Sequence, residues 1–309
     1  MRLATIRVDG AATAAVILGD GSALELAGAA ADVPGQIGDA LRSGSLQTII
    51  EEGPSTLDAI RSLAGRAEAG EFADLIHPAE ACDLLSPIPV PRKNVFCVGR
   101  NYIDHIAEGE KAQNKKIGVT EHPVYFTKPL TAVIGPGVAV PIFKHVSEAV
   151  DYEVELALVI GKPGRDIPMD RAFEHVFGYT ILNDISARDV QRRHGGQYFK
   201  GKGLDGSCPI GPWIVTADAV SDPGNLVISS SVNGEPRQNG NTKSMIFDIP
   251  TLIASLSEGM TLEPGDILAT GTPAGVGYAM DPPRYLKDGD TVVCEIAGIG
   301  RLENPVRSA

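Results

Sequence analysis

The chain has 309 residues, enough for one large domain or for a large and a small one, and its 43% hydrophobic content can build a full core. A net charge of −12 and a pI near 5.0 argue against general nucleic-acid binding. No apolar run approaches the ~20 residues of a membrane span, and Asp9 stands where a signal peptide needs positive charge.

Thirty-five glycines and 22 prolines favour many turns and hence a strand-rich fold. In chain order, residues 3–8 and 14–18 read as two short strands. Residues 37–42, 46–51 and 54–66 read as helical pieces, the last with Pro54 near its start and Leu57, Ile60 and Leu63 at helical spacing. Pro87, Pro89 and Pro91 alternate and force an extended linker, so the expected organisation is a small N-terminal α/β domain over residues 1–86 and a catalytic domain over residues 87–309. Residues 94–98 form an apolar strand, whereas 109–122 are polar, lysine-rich and without clear period, as in a surface lid or loop. Residues 124–127 and 133–140 are strand-like, and 171–177 a short helix. Asn233-Gly234 marks a hairpin with a type I′ turn. Residues 247–257 read as a helix with Asp248 as its cap, and the remainder as strand and turn. The four cysteines are scattered, with no Cys-x-x-Cys, which points to a reducing cytoplasm.

The stretch that organises the chain is Asp151-Tyr152-Glu153-Val154-Glu155-Leu156-Ala157-Leu158-Val159-Ile160. As a strand it places Glu153, Glu155, Ala157 and Val159 on one face and Val154, Leu156, Leu158 and Ile160 on the other. Two neighbouring buried carboxylates repel, and desolvation disfavours their charged forms. A hard divalent cation with oxygen ligands relieves both costs. Asp184 closes a short β-branched run where a strand ends, and would complete a three-carboxylate site with open positions for water and substrate. Such a set suits Mg²⁺ or Mn²⁺ better than Zn²⁺, with Ca²⁺ as an oxygen-seeking substitute. The alternative is a solvent-facing Glu-x-Glu on an edge strand.

His105 and Glu108, three residues apart, share a face if their stretch is helical, and the glutamate can then orient the imidazole as a base; an exposed charged pair is the alternative. Residues 188–202 carry Arg188, Arg192, Arg193, Lys200 and Lys202 against Asp189, a surplus of +4 beside Asp184 that favours an anionic ligand. Gly201-x-Gly203-x-x-Gly206 spells a dinucleotide fingerprint but follows no strand and precedes Pro209 and Pro212, so it is set aside. Residues 271–277 are glycine-rich without the Gly-Lys-Ser/Thr of a phosphate loop; their amides, with the Thr272 hydroxyl, can hold a carboxylate.

Several separate motifs, spread from about residue 89 to 306, resemble the fumarylacetoacetate hydrolase family. They are Gly99-Arg100-Asn101-Tyr102-x-x-His105-x-x-Glu108, Asp151-Tyr152-Glu153-x-Glu155-Leu156, Gly178-Tyr179-x-x-x-Asn183-Asp184-x-Ser186-Ala187-Arg188-Asp189-x-Gln191, and Gly265-Asp266-x-x-x-Thr270-Gly271-Thr272-Pro273-x-Gly275-x-Gly277. The resemblance implies an α+β, mainly β fold, a mixed β-roll or sandwich, usually homodimeric. It also implies that Glu153, Glu155 and Asp184 hold the metal, that His105 and Glu108 activate water, that Lys202 stabilises an enolate or oxyanion, and that Gln191 and Thr272 contact substrate. Where the family usually has Ser after this lysine, the chain has Gly203. The activity expected on this basis is metal-dependent hydrolysis of the C–C bond of a 2,4-diketo acid of the acylpyruvate type, in aromatic or sugar-acid breakdown, yielding pyruvate and a carboxylic acid. The alternative is decarboxylation or isomerisation of oxaloacetate- or hydroxymuconate-like keto acids on the same site. A non-catalytic protein binding Ca²⁺ or a small acid is disfavoured because every matched catalytic position is filled.

Overall fold

The computed structural model describes residues 1–309 apart from 115 and 117 and the side chain of residue 80. Its architecture is mixed, mostly sheet. The larger sheet runs, in spatial order, Ile76–His77, Ala23–Glu25, Ala11–Ile17, Arg2–Val8, Cys208–Thr216, Val176–Asn183, Val154–Ile160, Ile267–Ala269, Val95–Gly99 and Val124–Lys128. A five-stranded sheet runs Glu235–Asn241, Val227–Val232, Thr291–Ile296, Gly300–Ser308 and Val140–Ile142. Neither closes into a barrel among the described residues.

The strand Val154–Ile160 is central, paired antiparallel with Val176–Asn183 on one side and Ile267–Ala269 on the other. Its alternation explains why both of its faces are buried. Val154, Leu156, Leu158 and Ile160 pack in one core with Ile228, Val292 and Leu302 of the smaller sheet and Leu252 and Ile253 of the helix Ile249–Ser257. Ala157 and Val159 pack in a second core with Leu41, Ile49, Ile50, Ile60 and Leu63 from the N-terminal helices. Glu155 stands on this second face, where small residues leave room for a carboxyl. The N-terminal strand Arg2–Val8 bonds to Cys208–Thr216, so the first residues extend the same sheet.

Most local expectations hold. The two N-terminal strands form a hairpin, and helices occupy Gly35–Arg42, Leu46–Glu52 and Ser55–Glu68. Asn233 and Gly234 both take positive φ, as a type I′ turn requires. The Asp248 carboxylate accepts from the Thr251 amide at 2.9 Å, capping its helix. Residues 169–175 are a 3₁₀ helix. The expected loop over 109–122 is helical through Gln113, because Ile106 and Gly109 bury one face of the helix Ile103–Gln113; residues 115 and 117 of that stretch lie outside the described residues. No described helix is long and apolar enough to cross a membrane.

Candidate metal centre and active site

Antiparallel register builds the carboxylate cluster. Val154 pairs with Asn183, which puts Glu153 beside Asp184 just beyond the two strand ends. The Asp184 amide donates to the Glu153 carbonyl at 2.8 Å, and the Glu153 amide to Asn183 Oδ1 at 3.1 Å. Glu155 follows two residues on, on the same side. One carboxylate oxygen from each of Glu153, Glu155 and Asp184 lies within 4.8 Å of the others, and the residues are 4%, 1% and 0% exposed. An edge strand facing solvent is thereby excluded.

Cations surround two of the three. Lys202 Nζ donates to Glu153 Oε2 at 2.8 Å and to Asp184 Oδ2 at 2.6 Å. Lys128, fully buried, donates to Asp184 Oδ1 at 2.6 Å, to the Ile185 carbonyl at 3.1 Å and to the Lys202 carbonyl. Arg188 lies 2.9 Å from Asp151 Oδ2 and 2.6 Å from Glu153 Oε1. Glu155 forms no ion pair among the described residues and accepts from the Gly271 amide at 2.8 Å. The protonation equilibria follow this asymmetry. Burial raises the Glu153 pKa, but Lys202, Arg188 and His105 overcome it and hold the carboxyl below its usual range. Burial, then Asp184 and Glu153, push Glu155 well above that range. Burial opposes the Lys202 ammonium, but Asp184 and Glu153 outweigh it and hold its pKa above the ordinary lysine value. Three converging buried carboxylates, one of them without a cation, fit a hard divalent ion with oxygen ligands.

The helix Ile103–Gln113 places His105 and Glu108 one turn apart, with Nδ1 and Oε1 2.8 Å from each other. Glu108 Oε2 accepts from the Gly275 amide at 2.8 Å. The glycine-rich turn therefore does hold carboxylates, but they are the protein's own. Gly271 serves Glu155, Gly275 serves Glu108, and Gly277 and Tyr278 serve Asp151 at 2.7 and 3.1 Å. Gly275 is required there: its φ is +110°, and a Cβ would sit 2.3 Å from the Arg237 carbonyl oxygen. The Thr272 hydroxyl donates to the Val154 carbonyl at 2.8 Å and accepts from Gln238 Nε2 at 2.7 Å.

These groups surround a cavity of about 140 Å³. His105, Glu153, Glu155, Gln191, Lys202 and Thr272 line it, with Glu108 and Asp184 one layer behind. Lys128, Asp151 and Gln238 have no site role in the sequence reading, and Arg188 enters it only as a motif residue and as part of a positive collar beside Asp184. Arg188 and Lys202 are instead buried among carboxylates. The strand Val124–Lys128 is the last in its sheet and only half-buried, so nothing in the sequence around Lys128 marks it as the one fully buried residue of that strand.

Residues 94–307 match the model of the fumarylacetoacetate hydrolase C-terminal domain. An oxaloacetate tautomerase of Bacillus subtilis, YisK, is 45% identical over 265 residues, 85% of this chain and 86% of that protein. A mitochondrial oxaloacetate tautomerase of Homo sapiens is 43% identical over 263 residues, 85% of this chain and 79% of its own. Among solved structures, a fumarylacetoacetate hydrolase from the psychrophile Exiguobacterium antarcticum superposes with a TM-score of 0.80 at 40% identity, over all of both chains. The two tautomerases overturn the expectation of a hydrolase that cleaves the C–C bond of acylpyruvates. The physical reason is that the enolate-stabilising site implied by the resemblance would serve hydrolysis and tautomerisation alike. The His105–Glu108 motif reads as activating water, but a base so placed can equally take a proton from carbon.

Proposed function

The chain belongs to the fumarylacetoacetate hydrolase family, and we propose that it interconverts the keto and enol forms of a short 2-keto acid of the oxaloacetate type, with a divalent cation held by Glu153, Glu155 and Asp184. The observation that carries this reading is the buried Lys202 ammonium, bonded to Glu153 and Asp184 on the wall of the cavity that His105 also lines. Mg²⁺ or Mn²⁺ suits the oxygen donors, and when bound the cation supplies Lewis acidity to the keto carboxylate and disperses enolate charge. Lys202 holds the oxygen on which that negative charge grows. His105, its Nδ1 on Glu108, takes the proton from C3 at Nε2 and returns it to the enolate oxygen. No water is consumed and no C–C bond breaks. Gln191 and Thr272 form the wall against which the substrate is oriented.

The cavity of about 140 Å³ is of a size to hold the keto-acid end of a substrate, and it opens to solvent beside the exposed Arg192. The rest of the reading is a homodimer, a catalytic region beginning after residue 86, and a cytoplasmic setting. The family match from residue 94 supports the second, and four free cysteines support a reducing compartment.

The test follows the ultraviolet absorbance of enol oxaloacetate with purified protein, with Mg²⁺ or with chelator. Metal-dependent acceleration to the keto–enol equilibrium, with oxaloacetate conserved, is expected. Stoichiometric release of pyruvate and CO₂ would move the assignment to decarboxylation, and no acceleration would refute it.

A further inference from the structure

We propose that Arg192 and Arg100 form a subsite for the second carboxylate of a dicarboxylic keto acid, an inference that rests on the keto-acid reading above. Four cationic side chains line the cavity: Arg100, Arg188, Arg192 and Lys202. Two are already neutralised. Arg188 meets Asp151 and Glu153, and Lys202 meets Glu153 and Asp184. Among the described residues, Arg100 and Arg192 have no carboxylate within ion-pair distance.

Both are held by aromatic rings instead. The Arg100 guanidinium lies 5.8 Å from the ring centre of Tyr198, and that of Arg192 lies 5.8 Å from the ring centre of Tyr278. Tyr198 and Tyr278 line the same cavity. A ring face orients a guanidinium without cancelling its charge, and the N–H fork stays free for a planar carboxylate. Arg192 stands four residues after Arg188 on the helix Arg188–Arg193, and both guanidiniums share the Tyr278 ring, Arg188 at 4.5 Å. Arg188 is thus the inner arginine, committed to the metal carboxylates, and Arg192 the outer one. Arg100 enters from the junction of the strand Val95–Gly99 and the His105 helix, where its φ of 59° is uncommon for a long side chain.

The cavity is therefore divided. Its inner end, around Lys202 and the three carboxylates, is balanced for a cation and the keto carboxylate. Its outer wall carries two unanswered positive charges. A monoanionic acylpyruvate leaves them unpaired, whereas a dicarboxylate answers them, which is a basis for discrimination between the two classes.

The experiment compares oxaloacetate with its 4-methyl ester, which keeps the enol and loses the distal charge, in wild type, Arg192→Gln and Arg100→Gln. Because Arg192 is solvent-exposed, a moderate effect is expected: KM for oxaloacetate rising roughly tenfold in Arg192→Gln, with kcat/KM for the ester within about twofold of wild type. Equal losses on both substrates, or no loss on either, would overturn the subsite. If wild type accelerates neither compound, the tautomerase reading fails and calorimetric binding still decides the subsite. Wild type binding oxaloacetate more tightly than the ester, with that preference lost in Arg192→Gln, sustains it; equal binding refutes it.

Discussion

Lys128→Met is the perturbation that most directly probes how the centre is held. Lys128 is fully buried and uses all three of its donors, on Asp184 Oδ1, the Ile185 carbonyl and the Lys202 carbonyl. It thereby fixes one carboxylate of the cluster through its side chain and the Lys202 segment through that segment's backbone carbonyl. Methionine matches the stem in size, so the change removes charge and bonds rather than volume. Breaking a buried ion pair by removing one partner costs about 3–5 kcal/mol, because the other charge is left behind. Lys202 still contacts Asp184 Oδ2 at 2.6 Å, which places the expected loss near the lower end. At about 2 °C per kcal/mol for a large domain, Tm falls by roughly 6 °C or somewhat more. Turnover falls further, by roughly 10–100-fold, because displacement of a catalytic group by about 1 Å is enough for that. Thermal unfolding by circular dichroism and the enol-absorbance assay read the two effects. A variant with Tm within about a degree and turnover within about twofold of wild type would refute the assignment of Lys128 as the anchor.

Other consequences are equally open to measurement. His105→Ala is expected to lose most turnover, about 10²–10⁴-fold for a missing general base, while Mn²⁺ binding followed by electron paramagnetic resonance stays near wild type; loss of the metal signal would contradict the separation of roles. Saturating Mg²⁺ should raise Tm, since at 100 times Kd a ligand of the folded state adds about 2.7 kcal/mol, and Glu155→Ala should abolish that rise; a rise that persists would place the ion elsewhere. Gly275→Ala forces a Cβ to 2.3 Å from the Arg237 carbonyl and frees Glu108 from its amide, so activity should drop with the global fold retained by circular dichroism. Leu156→Ala, in the wholly buried central strand, should cost about 2–5 kcal/mol in denaturant unfolding; a cost under about 1 kcal/mol would mean that the strand does not carry the core.

What the sequence determined by itself was local or periodic. Alternation from Glu153 to Ile160 assigned each side chain of the central strand to a face, and the two buried cores divide along those faces. Positive φ at Asn233 and Gly234, and the Asp248 cap, follow from residue chemistry within a few positions. The clustering of Glu153, Glu155 and Asp184 and the His105–Glu108 contact were legible because their spacing, or their motif, survives in one dimension. Only the tertiary structure decided what those groups meet. Lys128 reaches Asp184 across 56 residues, and Gly271 reaches Glu155 across 116; no periodicity records such pairings. Within the collar of positive charge the sequence singled out only Lys202, whereas folding buried both Arg188 and Lys202 among carboxylates and left Arg192 outside. Burial sets the electrostatic meaning of a charge, and burial is a property of the whole packed chain. The choice between hydrolysis and tautomerisation belongs to the same category, since it would depend on whether water or a proton reaches carbon in a cavity that distant segments close together.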